Sequence, residues 1–152
     1  MNVQIKFIDE VFCKLRYDDI EITLMRENEY INATELCSNN GRNFLDWLKK
    51  ESSIELITEL DKLNRSCNDF YDHRGIVLNV LVNNINAFYV HRDLILHISH
   101  WISPLLSLKV GKILNSYVQD SLILEYEFLY NGLIDKLEEI ISLNENVIDT
   151  TK

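Results

Sequence analysis

The stretch from Tyr30 to Lys50 constrains the fold more than any other part of the chain, because it combines a helix start, a helix stop and a second helix start. Asn32 followed three residues later by Glu35 has the spacing of a capping box, which begins a short helix. The residues from Ser38 to Gly41 all favour turns. Residues 42–50 then resume helical spacing. The stretch therefore predicts two short helices joined by a glycine-containing turn, a helix-turn-helix-like arrangement.

The residues before this stretch alternate between apolar and polar types, which is typical of half-buried strands. The pattern predicts strands over Val3–Ile8, Val11–Tyr17 and Ile20–Met25, with Asp18-Asp19 as the turn between the last two. A short strand then ends at Tyr30-Ile31. The sequence therefore predicts an N-terminal group of strands before the first helix.

The middle of the chain contains a third helix and a β-hairpin. Ser52 and Glu55 repeat the capping-box spacing and predict a helix to about Asn64. Its predicted apolar face consists of Ile54, Leu56, Ile57, Leu60 and Leu63. Two apolar runs, 76–82 and 85–90, flank Asn83-Asn84, residues that tolerate positive φ, and this predicts a hairpin. A helix is predicted from Arg92 to Trp101, and Ser103-Pro104 predicts the start of another.

Length, composition and charge limit the classes of protein to consider. The 152 residues suit one domain plus an appendage, and 47% apolar with 26% charged residues is ordinary for a globular protein. The apolar runs are too short for a membrane span, and the N-terminus lacks the features of a signal peptide. Three widely spaced cysteines favour a reduced, intracellular protein without a disulfide framework.

The net charge of −9 argues against nucleic-acid binding as a bulk property, so the distribution of charge matters. Residues 1–117 carry 13 Lys and Arg against 16 Asp and Glu, whereas residues 118–152 carry 2 against 8. The C-terminal quarter therefore supplies most of the acidity. A DNA-binding function in the first part would depend on a local basic patch.

Several separated segments together resemble the KilA-N domain of large DNA viruses and bacteriophages, which is related to the APSES DNA-binding domain of fungal transcription factors. The resemblance spans roughly Ile20 to Val118 and lies in YINATELC, GRNFLDWLKK, FYVHRDL and the Trp-x-Ser-Pro junction at Trp101. It implies an α+β module of two helix pairs around a β-hairpin with N-terminal strands. It also implies a poxvirus-like protein that binds double-stranded DNA in the host cytoplasm, at viral factories, or in the nucleus.

Candidate DNA contacts are the cations of this module and one amide, each of which taken alone is more often a solvated surface residue. Ammonium and guanidinium groups bind phosphates with release of counterions, and an asparagine amide can pair with an adenine edge. The predicted contacts are Arg42, Asn43, Lys49, Lys50, Arg74, Arg92, Lys109 and Lys112. Asn32 is predicted to be a cap rather than a contact. The large side chains Tyr30, Phe44, Trp47, Leu94 and Trp101 are predicted to pack in the core.

No pattern in the sequence indicates an enzyme, a metal site or a cofactor. His97 and His100 lie three residues apart, but Cys13, Cys37 and Cys67 lack the paired spacing of zinc ligands. No nucleophile motif surrounds Cys37, and no glycine-rich phosphate loop is present. We therefore predict no catalytic residues, no metal and no cofactor. If DNA binding is lost, the alternative is a KilA-N-fold module that binds a host or viral protein.

Residues 119–144 form a predicted acidic amphipathic extension after a domain of residues 1–118, with residues 145–152 as a flexible tail. The extension carries apolar residues at alternating spacings of three and four, the a/d pattern of a coiled coil: Ile123, Tyr126, Tyr130, Leu133, Leu137 and Ile140. One interpretation is a seam that forms a homodimer. The other is a helical hairpin that folds back onto the domain, with its bend at Asn131-Gly132.

Overall fold

The structure, a computed structural model, describes the backbone of residues 3–66 and 71–150, and their side chains except those of residues 119–125 and 145–150. Within these ranges the chain forms six strands and five helices. The order is β1 (Gln4–Phe7), β2 (Phe12–Tyr17), β3 (Ile20–Met25), β4 (Ile31–Asn32), α1 (Ala33–Asn39), α2 (Phe44–Leu48), α3 (Glu51–Arg65), β5 (Val77–Val82), β6 (Ile85–Val90), α4 (Arg92–Ile102) and α5 (Pro104–Thr150). The predicted α+β class, with its hairpin and its helical extension, is confirmed.

The six strands form one antiparallel sheet with the order β1-β2-β3-β4-β6-β5. The N-terminal strands agree with the prediction to within one residue at each end. Asp18, with φ of 57°, and Asp19 make the predicted turn between Tyr17 and Ile20. At the tip of the β5–β6 hairpin, Asn83 and Asn84 have φ of 52° and 63°, the type I′ turn that matches strand twist. The hairpin prediction is confirmed.

The two-residue strand β4 joins the N-terminal strands to the hairpin. Ile31 is fully buried and pairs with Leu24 of β3 on one side and Val90 of β6 on the other. Asn32 pairs with Tyr89, and its Oδ1 accepts a hydrogen bond from the Glu35 N–H at 2.9 Å, which caps α1 as predicted. Its Nδ2 also donates to the Tyr89 hydroxyl at 3.4 Å. One residue thus contributes to the sheet and to the start of the first helix.

At α1 the structure shows the Asn32 half of the capping box, whereas the capping box predicted at Ser52 and Glu55 is wrong. The Glu35 carboxylate accepts a hydrogen bond from the Thr23 hydroxyl at 2.9 Å, because the backbone of Asn32 belongs to the sheet and β3 lies beside α1. Helix α3 begins at Glu51, before Ser52, since the chain passes from α2 into α3 through Lys49 and Lys50 alone. Lys50 occupies the N-cap position without a side-chain cap hydrogen bond.

The turn between α1 and α2 begins two residues later than predicted, because α1 continues through Ser38 and Asn39, and α2 is shorter than the predicted helix by two residues at each end. Gly41 has φ of 70°, a left-handed conformation that favours glycine, and the Arg42 N–H donates to the Cys37 carbonyl at 2.9 Å. Asn43 is extended, with φ of −110° and ψ of 122°, and its Oδ1 accepts from the Leu45 N–H at 3.0 Å. Helix α2 therefore starts at Phe44.

The core prediction is right for Tyr30, Phe44, Trp47 and Leu94, which are buried, and wrong for Trp101, which is half-buried. On one side of the sheet a cluster contains Phe12, Met25, Tyr30, Leu78 and Tyr89. The predicted apolar face of α3 is also partly wrong, because Ile54 and Leu63 are 56% and 64% exposed. Helix α3 makes its larger contacts with α2 and α4, and Ser53 and Asn64 are its buried residues.

Tyr30 connects the strands to the segment that leads into the hairpin. Its hydroxyl donates to the Gly75 carbonyl at 2.7 Å and accepts from the Asp72 N–H at 3.2 Å. Burial raises the pKa of Tyr30 to about 12, so the hydroxyl keeps its proton at neutral pH. The side chain is fully buried. Tyr30 therefore fixes residues 72–75 against the sheet.

Helix α5 begins at Pro104 after an extended Ser103, whose carbonyl accepts from the Ser107 N–H at 3.1 Å, as the Ser-Pro pair predicts. The helix continues through Asn131 and Gly132 to Thr150, so the predicted bend is wrong. The backbone of residues 145–150 is likewise helical. The chain divides into two compact units, Met1–Ser116 and Tyr117–Lys152. No helix in the described ranges has the length and apolar character needed to span a membrane.

The cap at Asn32 gives a test of this arrangement. We expect Asn32→Ala to lower the free energy of unfolding by about 1 kcal/mol, because the N–H group of Glu35 loses its acceptor. Asn32→Ser restores an acceptor oxygen at the same position and should be clearly more stable than the alanine variant. Urea unfolding followed by circular dichroism measures both. Equal stability of the alanine and serine variants would contradict the capping role.

Candidate nucleic-acid interface

Helix α2 is anchored by two aromatic side chains that face the interior. The rings of Phe44 and Phe88 meet edge to face with centroids 5.4 Å apart, which holds α2 against β6. The Phe44 and Trp47 rings are 5.7 Å apart, and both side chains are buried. The opposite side of this short helix, with Leu45 and Asp46, is exposed. The anchoring positions Arg42 and Lys50, each two residues beyond an end of α2, on the surface.

Arg42 and Lys50 both lie against the indole of Trp101 in the last turn of α4. The Arg42 Cζ is 4.2 Å from the centroid of the Trp101 ring, and the Lys50 Nζ is 5.2 Å from it. Both distances are within the range of cation–π attraction, and tryptophan is the strongest aromatic partner for a cation. Residues far apart in sequence thus form one basic surface, which we call the Trp101 surface: Arg42, Lys50 and Trp101.

Arg42 is also held by a hydrogen bond to the backbone. Its Nη2 donates to the Trp101 carbonyl oxygen at 3.2 Å. This carbonyl belongs to the C-terminal turn of α4, where the helix carries partial negative charge, so a cation there is favourable. A guanidinium has five N–H donors, and this bond uses one of them. The side chain is therefore positioned and keeps donors for a further acceptor.

Lys49 and the start of α3 extend the positive character of the Trp101 surface. Lys49 is exposed and ends α2 as its C-cap, directly before Lys50. Because α3 begins without a side-chain cap, its first amide groups add partial positive charge beside Lys50. The carboxylates of Asp46 and Glu51 also lie in this segment, which keeps a small positive balance of three cations against two anions.

The structure gives Asn43 a different role from the predicted base contact. Its side-chain oxygen accepts from the Leu45 N–H and so caps α2. This oxygen is one half of the bidentate amide that would be needed to read adenine. Asn32, which was predicted to be a cap and not a DNA contact, does cap a helix: its Oδ1 accepts a hydrogen bond from the Glu35 N–H.

Three predicted contacts are cations that already bind carboxylates. Arg74 forms a bidentate pair with Asp72, with Nε–Oδ1 of 2.9 Å and Nη2–Oδ2 of 2.7 Å. Hydrogen bonding to Arg74 holds the pKa of Asp72 well below its ordinary value. Arg92 lies 3.5 Å from the carboxylate of Glu29, and burial raises the pKa of that carboxyl. A phosphate would have to displace these carboxylates.

Lys109 is the third of these cations. Its Nζ lies 3.1 Å from Asp18 and 3.4 Å from Asp19, the two residues of the β2–β3 turn. Hydrogen bonding to Asp18 raises the pKa of Lys109. Two carboxylates against one ammonium leave this position negative. Lys112, one turn further along α5, is exposed. Among the predicted contacts, the structure brings Arg42 and Lys50 together on the Trp101 ring, and Lys49 comes directly before Lys50 in the chain.

Comparison with known proteins identifies the family. A family model for the KilA-N domain matches residues 15–120. The chain belongs to the KilA-N family. It is 63% identical over 148 residues to protein FPV248 of Fowlpox virus (strain NVSL), covering 96% of this chain and 98% of FPV248. It is 30% identical over 138 residues to the putative KilA-N domain-containing protein L4 of Acanthamoeba polyphaga mimivirus, covering 91% of this chain and 30% of L4.

These relatives confirm that this is a KilA-N protein of a large DNA virus. A further match is the putative KilA-N domain-containing protein 313L of Invertebrate iridescent virus 6, 28% identical over 90 residues, which cover 57% of this chain and 25% of 313L. The chain spans nearly all of FPV248 but a third or less of L4 and of 313L. No solved structure matches the chain.

The described part of the KilA-N domain contains one buried histidine and two buried cysteines. His91 is buried and caps α4, with its Nδ1 accepting from the Asp93 N–H at 3.1 Å, and burial lowers the pKa of His91. Cys13 and Cys37 are free and buried, and burial raises the pKa of Cys37 to about 11. Cys67 lies outside the described residues. In the described part of the chain, no three His, Cys, Asp or Glu side chains converge as metal ligands.

The predicted oligomerisation residues lie on α5. Five of them, from Tyr126 to Ile140, are exposed, and the side chain of Ile123 lies outside the described residues. Tyr126 and Tyr130 stack with ring centroids 6.4 Å apart. These residues therefore remain available to a partner, as a seam requires.

Sequence patterns did not predict the half-buried position of Trp101 or its contacts with two cations. An aromatic residue at helical spacing is usually a core residue, and that rule assigned Trp101 to the interior. Its place in the last turn of α4, two residues before Ser103 and three before Pro104, is the available signal, because a helix end lies near the surface more often than a helix middle. Which cations meet the ring depends on the α1–α2 turn and could not be read from spacing.

The Asp72–Arg74 pair predicts a pH dependence of stability. The pKa of Asp72 is lower in the folded chain than the unfolded value of about 3.9, so the carboxylate stabilises the fold above that pH and loses this effect as the pH falls. We expect Asp72→Asn to be less stable than the wild type at pH 7, with a difference that narrows below about pH 4. Urea unfolding over a pH series measures this.

Asp19→Asn is the matched control, because the side chain of Asp19 is 80% exposed. Its free energy of unfolding should stay close to that of the wild type at every pH. If the free energies of unfolding of Asp72→Asn and the wild type differ by the same amount down to pH 3, the stabilising role of the ionised pair is contradicted.

Proposed function

We propose that this KilA-N domain is a non-enzymatic DNA-binding module that contacts the phosphate backbone of duplex DNA through the Trp101 surface and Lys49. The observation that carries the proposal is the pair of cations, Arg42 and Lys50, held on one half-buried indole. The family supports it, since KilA-N domains typically bind DNA. The proposal includes an intracellular location where DNA is accessible, at viral factories in the cytoplasm or in the nucleus.

The fixed geometry of the two cations favours phosphate binding. A long basic side chain normally loses rotamer freedom when it binds, and this loss opposes binding. Cation–π contact with Trp101 already restricts Arg42 and Lys50, so less freedom remains to be lost. Arg42 also keeps N–H donors that match the geometry of a phosphate.

The acidic net charge is compatible with this proposal because most of it is carried by the last part of the sequence and not by the segment around Lys49 and Lys50. The last 35 residues hold 8 of the 24 Asp and Glu but only 2 of the 15 Lys and Arg. At physiological salt, charges farther apart than about 8 Å are largely screened. The local balance around Lys49 and Lys50 therefore matters more to a bound phosphate than the total of −9.

A second candidate function is binding of a host or viral protein by the same fold. The observation that favours it is the pairing of Arg74, Arg92 and Lys109 with carboxylates, which removes three cations from the predicted DNA contacts. Loss of net positive charge weakens phosphate binding more than protein binding. The DNA titration below separates the two candidates.

We expect the logarithm of the duplex-DNA association constant to fall against the logarithm of salt concentration with a slope of about −2.7 for each bound chain, because three cations each displace counterions. The double variant Lys49→Gln with Lys50→Gln should reduce this slope in magnitude by about 1.8. Fluorescence anisotropy of a labelled duplex of random sequence measures both slopes.

The matched control is the double variant Lys62→Gln with Lys109→Gln, which changes the net charge by the same amount. Lys62 pairs with Glu59 at 3.5 Å, and Lys109 pairs with Asp18. This variant should keep the wild-type slope. Equal slopes for the two double variants would contradict the proposed surface, and absence of binding by the folded wild type at low salt would contradict DNA binding itself.

A further inference from the structure

The part of α5 in the unit Tyr117–Lys152 carries a row of large apolar side chains that are exposed. Exposed apolar surface in one continuous patch is typical of an interaction site, whereas single exposed apolar residues are ordinary. Eight of the nine large apolar side chains exposed between Tyr126 and Leu143 form this row, while the ninth, Phe128, is 78% exposed on the other side of the helix. The eight have between 49% and 69% of their surface exposed: Tyr126, Leu129, Tyr130, Leu133, Leu137, Ile140, Ile141 and Leu143. We call this row the α5 apolar face.

The α5 apolar face follows a heptad register. Positions a and d of a coiled coil point to the partner helix, and e and g flank them. Apolar residues at all four positions make the face wider than a bare a/d seam. Tyr130 and Leu137 occupy a, Tyr126, Leu133 and Ile140 occupy d, Ile141 occupies e, and Leu129 and Leu143 occupy g.

The acidic residues of the same segment lie mainly outside this face. Asp135, Glu138 and Glu139 occupy positions f, b and c, on the other side of the helix. Glu127 occupies e, at the border of the face. A partner that covers the apolar face therefore leaves those three carboxylates in water, where they need no counter-charge.

We propose that the α5 apolar face binds a second copy of this chain, with α5 packed against α5. A heptad register is self-complementary, because each a or d side chain fits the hole formed by four residues of an identical helix. Asn144 lies at the next a position, and a single asparagine at a fixes register between like helices. The helix is unbroken across the whole face, as such packing requires.

The size of the face suits a stable pair of chains. If each of the eight side chains buries on the order of 100 Å², the contact removes roughly 800 Å² from each chain, the usual contribution of one partner to a stable interface. Helix ends and polar residues at the border would add to this area. The face is thus large enough without any contribution from the KilA-N domain.

The test is the mass of the full chain in solution without DNA, measured by light scattering at tens of micromolar. We expect at least twice the chain mass of 17.9 kDa. The double variant Leu133→Gln with Leu137→Gln replaces one d and one a side chain by a polar residue that forms helices well, and it should shift the mass to that of one chain. Circular dichroism checks that both proteins are folded.

The control is the double variant Glu138→Gln with Glu139→Gln, which introduces the same two glutamines on the outer side of α5 without removing an apolar side chain and should keep the wild-type mass. A folded wild type with the mass of one chain overturns the proposal and leaves the face to a different protein. A Leu133→Gln, Leu137→Gln variant that keeps the wild-type mass also overturns it, because association then uses another surface. Neither outcome depends on whether the chain binds DNA.

Discussion

The rest of the domain depends on a strand of two residues, Ile31–Asn32. Three strands come before it in the chain and a hairpin comes long after it, and β4 is the only element that pairs with both within the described sheet. Asn32 pairs with β6 and also caps α1, so the first helix begins where the sheet is joined. Tyr30, the residue directly before β4, forms hydrogen bonds with Asp72 and Gly75 in the segment before the hairpin. Three consecutive residues thus join the two parts of the sheet, begin α1 and hold the segment before the hairpin.

The position of the candidate interface depends on β4 through a short series of contacts. Helix α1 packs on β6 and β3 and against α4, and its C-terminal turn places Arg42 through the left-handed Gly41. Arg42 then meets Trp101 at the end of α4, a residue 59 positions away in sequence. The contact ties α4 to the start of α2 and also fixes a guanidinium at the surface. Arg42 contacts an indole ring and a carbonyl, whereas Arg74 and Lys109 pair with carboxylates, and for this reason our proposal assigns a DNA contact to Arg42.

Local rules predicted the strands, the hairpin and the cap at Asn32, because period, turn residues and cap spacing depend on neighbours in sequence. They failed where distant residues decide the outcome. Lys109 and Asp18 lie 91 positions apart, and no spacing rule indicates that they pair. Ile54 and Leu63 share the apolar side of α3, but burial depends on what covers that side. Asn43 was predicted as a base contact because it follows Arg42, although an asparagine before a helix is also a common cap.

The two proposals combine into one account, in which α5 joins two chains and each chain offers a Trp101 surface, so that two weak DNA sites act together. The central claim is that DNA meets the Trp101 surface. The chain has two tryptophans, Trp47 buried and Trp101 half-buried, so a nitrogen–proton correlation spectrum contains two indole signals, and Trp101→Phe assigns them. On titration with duplex DNA at low salt, the Trp101 signal should move much more than that of Trp47 and return when salt is raised. A Trp101 signal that stays in place while the protein binds DNA would contradict the account.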